Sequence, residues 1–355
     1  MLRANRATRF AGLLASVLML VGSVAACGSS DSDSDSASSQ SDKTSASSAF
    51  PVTLTHKFGS TTIKSEPQRI FTVGLTDQDA VLALGKVPVG TTDWLGGYDG
   101  AIGPWAKDKL GSAKAPTLLK DTGTGPQVEK IAALKPDLIL ALYGGLTKAQ
   151  YESLSKFAPV VAQPKEYNDY GIPWQQQTES IGKALGKEAE AKKLVEGVDA
   201  KFAAAAKANP AFKDATGVVA TPYEGFFVFG SQDSRSRTLT SLGFKLPADL
   251  DKSIGDQFGA NISKERTDLL DTDVTVWTVP DLAKDPAKLH EDNTYKNLTV
   301  AKEAREVFIE ESSDYGKAFS FVTVLSLPYV IERLAPQLAA AVDGKTDTKA
   351  EQPTS

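Results

Sequence analysis

Apolar positions in the first half of the chain recur with two different periods, one typical of strands and one typical of helices. Residues 138–143 form an uninterrupted apolar run, which predicts a strand of a parallel sheet that is covered on both faces. Ahead of this run, Val128, Ile131 and Leu134 recur on one face of a predicted helix, and a Lys-Pro pair ends that helix. Further strands are predicted over residues 69–75, 87–91 and 159–162.

A long stretch over residues 174–207, rich in Ala, Lys and Glu, carries an apolar stripe at helical spacing and separates the first half from a second one. The second half repeats the alternation, with predicted strands over 217–221, 226–229, 274–279 and 305–310 and predicted helices over 236–242, 263–270 and 320–341. This pattern predicts an α/β fold of two doubly wound lobes joined by one long rigid helix. Such sheets bind ligands beyond the carboxyl ends of their strands, so we expect a ligand cleft between the lobes.

The two ends of the chain lack the composition of a folded domain. Arg3, Arg6 and Arg9 precede an apolar run that small residues follow, which is the pattern of a signal peptide over residues 1–26. Residues 27–49 are mostly Ser, Asp, Ala and Gln and cannot bury enough surface to fold, so a disordered tether is predicted. The other predicted divisions are an N-terminal lobe over 50–173, the linking helix over 174–207, a C-terminal lobe over 208–342 and a disordered tail over 343–355.

The predicted signal peptide leads into Val-Ala-Ala-Cys-Gly at residues 24–28, which resembles the lipobox of bacterial lipoproteins. This resemblance implies that the Cys27 thiol takes a diacylglycerol and becomes the mature N-terminus, with the protein anchored to the outer face of the cell membrane. The alternative is an ordinary thiol within a signal sequence. Cys27 is the only cysteine of the chain, which excludes disulfides, thiolate metal sites and CxxC redox motifs.

Charge and histidine content argue against several classes of function. The formal charge of the chain is −5, and removal of the three arginines in residues 1–26 leaves −8, which argues against a nucleic-acid partner. The only two histidines, His56 and His290, lack the spacing of a metal-ligating motif. Both lie in polar, turn-rich segments and are expected at the surface, so no metal site is predicted.

Several segments, in a fixed order, resemble the solute-binding proteins of iron-siderophore ABC transporters. The segments that carry this resemblance are residues 67–70, 83–90, 128–139, 181–186, 263–265 and 315–334. No single segment is diagnostic, but their order and spacing extend over nearly all of residues 50–341. The resemblance implies a monomeric, extracytoplasmic protein without a cofactor of its own, which binds a ferric siderophore and delivers it to the permease subunits of an ABC transporter.

Five aromatic residues are candidates for contact with the ligand. Trp94 and Tyr98 lie on a glycine-rich loop after a predicted strand. The loop has no helical or strand periodicity that would place such large aromatic side chains in the core. Tyr143 ends the apolar run over 138–143 and precedes two glycines, and Tyr223 follows a strand of the second half. Trp277 lies within an alternating apolar segment. For Tyr143, Tyr223 and Trp277, burial in the core is an equally good interpretation.

Arg235 and Arg237 lie where a polar loop runs into a helix, and a guanidinium group there can bind an anionic or oxygen-rich ligand with two hydrogen bonds. Residues two apart on a helix do not share a face, so we expect one arginine in the cleft and the other in solvent. Several iron-siderophore-binding proteins of the family that this chain resembles have an Arg in the loop before the helix that here starts near Pro126. Residues 121–125 of this chain contain no Arg. Recognition then depends more on Arg235, Arg237 and the aromatic residues.

The resemblance also implies a docking role for two carboxylates outside the cleft. Glu129 and Glu265 match the acidic residues, one per lobe, that family members present to arginines of the permease. Both lie near the start of a predicted helix, where the helix dipole alone favours a negative charge.

Two alternatives to a siderophore-binding protein remain open. Within the same class of binding proteins, the ligand is haem, a corrinoid or ferric citrate, and Tyr is a known ligand of haem iron. The other alternative is an extracytoplasmic enzyme on an α/β scaffold. The sequence contains neither the GxSxG nucleophile motif nor the GxxxxGK[ST] phosphate loop, and residues 123–125 are an incomplete phosphate-loop match. We therefore predict a binding protein and not an enzyme.

Overall fold

The computed structural model describes residues 49–93, 96–120, 123–348 and 351–352. The predicted signal peptide, Cys27 and nearly all of the predicted tether lie outside these residues. The described chain begins with a hairpin of β1 (Val52–His56) and β2 (Gly59–Ile63), which precedes the first lobe.

The first lobe is built on a five-stranded parallel sheet. Its strands are β3 (Ile70–Thr72), β4 (Gly90–Asp93), β5 (Thr117–Lys120), β6 (Leu138–Ala141) and β7 (Val160–Ala162), in the order β5-β4-β3-β6-β7. Its helices are α1 (Asp77–Ala83), α2 (Lys107–Leu110), α3 (Val128–Ala133) and α4 (Lys148–Leu154). All four residues of β6 are buried, as its uninterrupted apolar sequence predicts. Because the strands are parallel, their carboxyl ends meet at one edge of the sheet.

The linker is a long helix preceded by a shorter one, and not a single helix over 174–207. The shorter helix is α5 (Trp174–Ala184), and the longer one is α6 (Glu188–Ala208). Gly186 ends α5 with a φ of 69°, and the amide of Lys187 donates to the carbonyl of Gly182 over 2.7 Å, which completes a Schellman C-cap. A Cβ atom on Gly186 would lie 2.6 Å from the ring of Phe50, so packing also requires a glycine there.

The second lobe contains a mixed five-stranded sheet. Its strands are β8 (Gly217–Thr221), β9 (Phe226–Phe229), β10 (Gly259–Ile262), β11 (Val274–Val279) and β12 (Glu306–Glu310), in the order β10-β9-β8-β11-β12. β8, β11 and β12 are parallel, whereas β9 returns antiparallel to β8 and β10 antiparallel to β9. β10 therefore runs in the same direction as β8.

The helices of the second lobe are α7 (Ser234–Ser241), α8 (Leu250–Ile254), α9 (Asp285–Glu291), α10 (Thr299–Lys302), α11 (Asp314–Ser320) and α12 (Ser326–Val342). The predicted helix over 320–341 begins later, because Thr323 and Ser326 cap its start. The Thr323 amide donates to Ser326 Oγ over 2.8 Å, and the Ser326 amide donates to Thr323 Oγ1 over 2.9 Å. The segment predicted as a helix over 263–270 is a 3₁₀ helix, Lys264–Leu270.

One apolar core runs through both lobes. It joins Leu140 of β6, Ile181 of α5, Phe202 of α6, Val276 of β11 and Leu334 of α12, so the linker and the last helix are shared by the two sheets. The predicted fold class, an α/β protein of two lobes connected by a long helix, is confirmed. Within the described ranges, no helix combines the length and the apolar character that a membrane span requires.

Candidate functional site

A cavity of about 410 Å³ opens where the strands of the first sheet end. Its walls include the segments after β3, β5 and β6, together with Thr92 of β4 and Gln150 of α4. This is the edge at which the carboxyl ends of the parallel strands meet, and α/β sheets bind ligands at this edge.

Glycines shape the wall of this cavity. Gly123 and Gly125 have φ values of 76° and 100°, a region that favours glycine. A Cβ atom on Gly125 would lie 2.0 Å from Nε2 of Gln150, so no other residue fits there without a shift of Gln150. Gly144 and Gly145 follow β6 and line the opposite side. The lining of small residues allows a bulky ligand to approach the backbone closely.

Lys120 provides positive charge at this cavity. It is the only charged residue among the described residues that line the cavity, and it lies at the exposed end of β5. Its carbonyl accepts a 2.6 Å hydrogen bond from Nε2 of Gln127 in the loop before α3. Residues 121–125 contain no arginine, and the lysine one position earlier is not a predicted site residue, because the sequence pattern predicts no strand over 117–120.

Tyr143 lies between the lobes and is only 5% exposed. Its ring contacts those of Tyr170 and Phe321 edge-on, with centroid distances of 5.8 and 6.3 Å. Tyr170 also lines the cavity, and Phe321 belongs to the second lobe, so the three rings connect the cavity to the second lobe. Burial raises the pKa of Tyr143, and its phenol therefore stays protonated. Sequence periodicity marks neither Tyr170 nor Phe321 as a site residue, because Tyr170 lies in a loop and Phe321 falls within the predicted helix over 320–341, which begins only at Ser326.

The structure buries Arg235, which corrects the expectation that one arginine of the pair is in solvent. Its Nε and Nη2 donate to the two carboxylate oxygens of Asp233 over 3.0 and 3.1 Å. Its Nη1 donates to the carbonyl of Ser320 over 3.2 Å, and the guanidinium lies 3.8 Å from the ring centroid of Phe229. Asp233 is the N-cap of α7, and this position brings its carboxylate against Arg235 two residues later.

Arg237 is half-buried between the lobes. Its Nη1 donates to the carbonyl of Gly171 over 2.7 Å, and its side chain borders a small second cavity next to Tyr143. Burial lowers the pKa of the guanidinium. Within the described part of the chain, carboxylates pair with Arg235 but not with Arg237. Arg237 is therefore the arginine whose charge is available to a ligand between the lobes.

Tyr98 connects the lobes and does not line the larger cavity. Its hydroxyl donates to Oδ1 of Asp314 over 2.5 Å, and Nζ of Lys317 lies 4.7 Å from its ring centroid. Burial, and then the Asp314 carboxylate, raise the pKa of Tyr98. Lys317 also donates to the carbonyl of Gly96 over 3.4 Å, so α11 contacts the glycine-rich loop twice. Trp94, predicted on the same loop, lies outside the described residues.

Tyr223 is 60% exposed at the turn between β8 and β9. Glu224 and Gly225 form this turn with φ values of 50° and 115°. Because β9 returns antiparallel, Tyr223 lies at one end of that strand and the loop leading to the two arginines follows the other end. The structure gives Tyr223 no packing role of its own, and it stays a predicted ligand contact.

Trp277 belongs to the core, and its assignment as a ligand contact is wrong. The side chain is fully buried, since β11 lies between β8 and β12 with both faces covered. Its Nε1 donates to the hydroxyl of Tyr295 over 2.8 Å, and that hydroxyl donates to Oε1 of Glu306 over 2.5 Å. Burial raises the pKa of Glu306. These hydrogen bonds satisfy the polar atoms of a buried group.

Of the two histidines, which are both expected at the surface, His290 is exposed and His56 is not. His56 is buried, and its Nε2 forms a 3.0 Å hydrogen bond with Thr61 across the first hairpin. His290 forms a 2.8 Å contact between Nε2 and Oε2 of Glu306. Among the residues that the structure describes, no cluster of His, Cys, Asp and Glu could hold a metal ion.

Glu129 and Glu265 occupy related positions in the two lobes. Both are exposed, Glu129 in the first turn of α3 and Glu265 in the first turn of the 3₁₀ helix Lys264–Leu270. The elements that carry them follow β5 and β10, which are the edge strands of their sheets, and each follows the carboxyl end of its strand. The two carboxylates therefore have matching places in the two halves of the fold.

Two buried carboxylates on α1 hold the site together and were not predicted. Asp77 accepts hydrogen bonds from the amides of Leu142 and Tyr143 over 2.8 and 3.2 Å, which fixes the chain after β6. Asp79 accepts hydrogen bonds through Oδ2 from Trp105 Nε1 over 2.8 Å and from Thr323 Oγ1, in the second lobe, over 2.6 Å. Burial raises the pKa of Asp77, and it raises the pKa of Asp79 to about 6. Both lie in the first turn of α1, where sequence alone does not distinguish a buried carboxylate from one that faces solvent.

Known binding proteins are similar to this chain in sequence. The periplasmic binding protein family matches residues 76–311. A putative ABC transporter substrate-binding lipoprotein of Bacillus subtilis, YhfQ, is 28% identical over 66% of this chain and 67% of its own. The Fe(3+) dicitrate-binding periplasmic protein FecB of Escherichia coli is 31% identical over 57% of this chain and 64% of its own. The chain thus aligns with about two thirds of the length of these relatives.

Solved structures extend the likeness over more of the chain. The crystal structure of Streptococcus pneumoniae PiaA in complex with ferrichrome superposes with a TM-score of 0.75 and 28% identity, and it covers 83% of this chain and 100% of that one. The likeness therefore includes both lobes and the linker between them.

Proposed function

Because this chain belongs to the periplasmic binding protein family, we propose that it captures a ferric siderophore outside the cytoplasm and delivers it to the permease of an ABC importer. Membership of a family of binding proteins confirms the prediction of binding and not catalysis. PiaA was crystallised in complex with ferrichrome, an iron chelate, which supports this ligand class for a chain of the same fold.

The observation that carries the proposal is the glycine-lined cavity at the carboxyl edge of the first sheet, which Tyr143, Tyr170 and Phe321 connect to the second lobe. A siderophore supplies the oxygen ligands of its iron, so the protein needs aromatic surface, small residues and a few hydrogen-bonding groups. The contacts that we propose are Lys120, Tyr143, Tyr223 and Arg237, together with Trp94 and Tyr98 of the glycine-rich loop.

Ferric citrate is a second candidate ligand. The FecB relative is named for binding Fe(3+) dicitrate. In this chain, Lys120 and Arg237 are cations that an anionic citrate complex would contact. Haem and a corrinoid are further alternatives within the same class of binding proteins, and the titration of the purified protein includes both.

We also propose that Cys27 carries the lipid anchor and that residues 27–49 tether the folded lobes to the membrane. The YhfQ relative is named a lipoprotein. A short flexible tether holds the binding protein near its permease at high effective concentration, so delivery does not depend on free diffusion. Glu129 and Glu265 are the proposed docking residues, because they are exposed at equivalent places of the two lobes.

Tryptophan fluorescence tests the proposed ligand class. Trp174 borders the small cavity next to Tyr143, so a coloured ferric chelate between the lobes should quench its emission. The purified protein is titrated with ferrichrome, ferric enterobactin, ferric dicitrate, haem and cobalamin, and with the iron-free chelators as controls. Saturable quenching by a ferric siderophore, and weaker quenching by its iron-free form, is expected. Quenching by haem or cobalamin alone would overturn the siderophore assignment.

A further inference from the structure

The positive charge of Arg235 is compensated within the second lobe. Asp233 binds its guanidinium through both carboxylate oxygens, and both residues are less than 10% exposed. The guanidinium also contacts the carbonyl of Ser320, the face of the Phe229 ring and, at 5.8 Å from its centroid, the Phe321 ring. A buried pair of this kind presents little net charge to a ligand.

The charges beside the glycine-rich loop also cancel. Tyr98 has the Asp314 carboxylate at its hydroxyl and the Lys317 ammonium over its ring. The two charges have opposite sign and contact the same side chain. This end of the loop therefore adds no net positive charge to the space between the lobes.

The cavity itself offers mainly uncharged hydrogen-bonding groups. Its polar side chains include Thr92, Thr124, Gln127 and Gln150, and among its described lining residues only Lys120 is charged. With Arg237, this leaves two cations of the described site without a carboxylate partner. An anion with more than two negative charges would lose its hydrating water in this site. Two cations could not compensate all of its charge, so its binding would carry a large cost in free energy.

We infer that the site selects an uncharged ferric tris-hydroxamate over a ferric tris-catecholate. Three monoanionic hydroxamates balance the ferric ion, whereas three dianionic catecholates leave a triple negative charge on the complex. The amide and hydroxyl groups of the cavity suit the amide-rich exterior of a hydroxamate chelate, and Lys120 and Arg237 suit its iron-bound oxygens. This inference rests on the proposed function, because it names the chemical class within the siderophores.

Competition between chelates of different charge tests the inference. The dissociation constants of ferrichrome and ferric enterobactin are measured with the purified protein at low and high salt. Ferrichrome should bind at least about tenfold more tightly, and its affinity should change less than about twofold between about 0.05 and 0.5 M salt, because an uncharged ligand is not screened. Equal or tighter binding of ferric enterobactin would overturn the inference and leave the proposed function intact. Failure of every ferric chelate to bind would overturn both.

A charge added to the cavity wall provides the matched control. Thr124 lies on the wall between two glycines and is exposed. Thr124→Arg should tighten the binding of ferric enterobactin about fivefold or more and leave ferrichrome binding within about threefold of that of Thr124→Gln, which adds a long side chain without charge. If Thr124→Arg and Thr124→Gln bind ferric enterobactin equally, charge does not determine the selection and the inference is wrong.

Discussion

The hydroxyl of Tyr98 in the first lobe donates a 2.5 Å hydrogen bond to the carboxylate of Asp314 at the start of α11 in the second lobe. This contact joins a loop that carries two predicted ligand-binding aromatic residues to a helix of the opposite lobe. Lys317, one turn later on α11, contacts the same ring and the carbonyl of Gly96. The second lobe thus contacts this loop at both Gly96 and Tyr98.

Removal of the Tyr98–Asp314 hydrogen bond should loosen the two lobes. Tyr98→Phe and Asp314→Asn should each lower the free energy of unfolding by about 1 kcal/mol, and the double variant should lose little more than either single variant. Urea denaturation measures all four proteins. Tyr223→Phe is the control, because Tyr223 is exposed and its hydroxyl should contribute less than about 0.5 kcal/mol. Fully additive losses would show that the two groups do not interact.

Arg235 and Arg237 should respond differently to the same substitution. Arg235→Met leaves Asp233 buried without its cation and should cost about 3 kcal/mol of stability. Arg237→Met removes a single hydrogen bond to Gly171 and should cost no more than about 1.5 kcal/mol, while weakening ferric-chelate binding about tenfold. Urea denaturation and fluorescence titration separate the two effects. A stable Arg235→Met protein with weakened binding would reverse the assigned roles.

The sequence predicts the two lobes well, because apolar runs such as 138–143 alternate with segments of helical periodicity, and this alternation is typical of α/β sheets. It divides the linker incorrectly, although Gly186, the residue that ends α5, is visible in the sequence. Periodicity also cannot distinguish a buried strand residue from one that faces the cleft. For this reason Trp277 is predicted to contact the ligand although it is fully buried. The compensation of Arg235 by Asp233 depends on a local cap, and the Tyr170 and Phe321 contacts depend on loops, for which no pattern exists.

Asp79 should make the stability of the protein fall as the pH rises from about 4 to about 6. Burial raises its pKa from 3.8 to about 6, so the folded protein holds a proton that the unfolded chain releases. The stability that protonated Asp79 contributes is complete below its unfolded pKa and is lost as the pH rises through about 6, a difference of about 3 kcal/mol. Asp79→Asn keeps acceptors for Trp105 and Thr323 but cannot titrate.

Urea denaturation of wild type and Asp79→Asn at pH 4 and pH 7 measures this linkage. The other titrating groups, including Asp77 on the same helix, are common to both proteins and cancel in the difference. Asp79→Asn should gain stability relative to wild type between the two pH values. A difference that is constant with pH would contradict the assignment of this titration to Asp79.

Cys27 should determine where the protein resides and not what it binds. In cells labelled with a tagged fatty acid, wild type should take up the label and Cys27→Ala should not, since no other thiol exists in the chain. Siderophore-dependent iron uptake should fall in the variant, while the dissociation constant of the purified protein stays unchanged. Ser30→Ala, three residues further along the predicted tether, is the control for the substitution itself. Labelling of Cys27→Ala would exclude the proposed anchor.

Glu129 and Glu265 should affect transfer to the permease without affecting ligand capture. Each is exposed in the first turn of a short helical element beyond an edge strand, and neither lines the larger cavity or has an ion-pair partner within the described residues. Replacing either by Ala should change neither the free energy of ligand binding nor the free energy of unfolding by more than about 0.5 kcal/mol. Iron uptake by cells should fall several-fold in each variant and further in the double variant, because each lobe would lose one charged contact.

Glu179→Ala on α5 is the control, because it removes another exposed carboxylate that lies outside the proposed docking surface. Cells that carry Glu179→Ala should take up iron normally. If Glu179→Ala reduces uptake as much as Glu129→Ala, the overall negative charge and not a docking contact determines transfer.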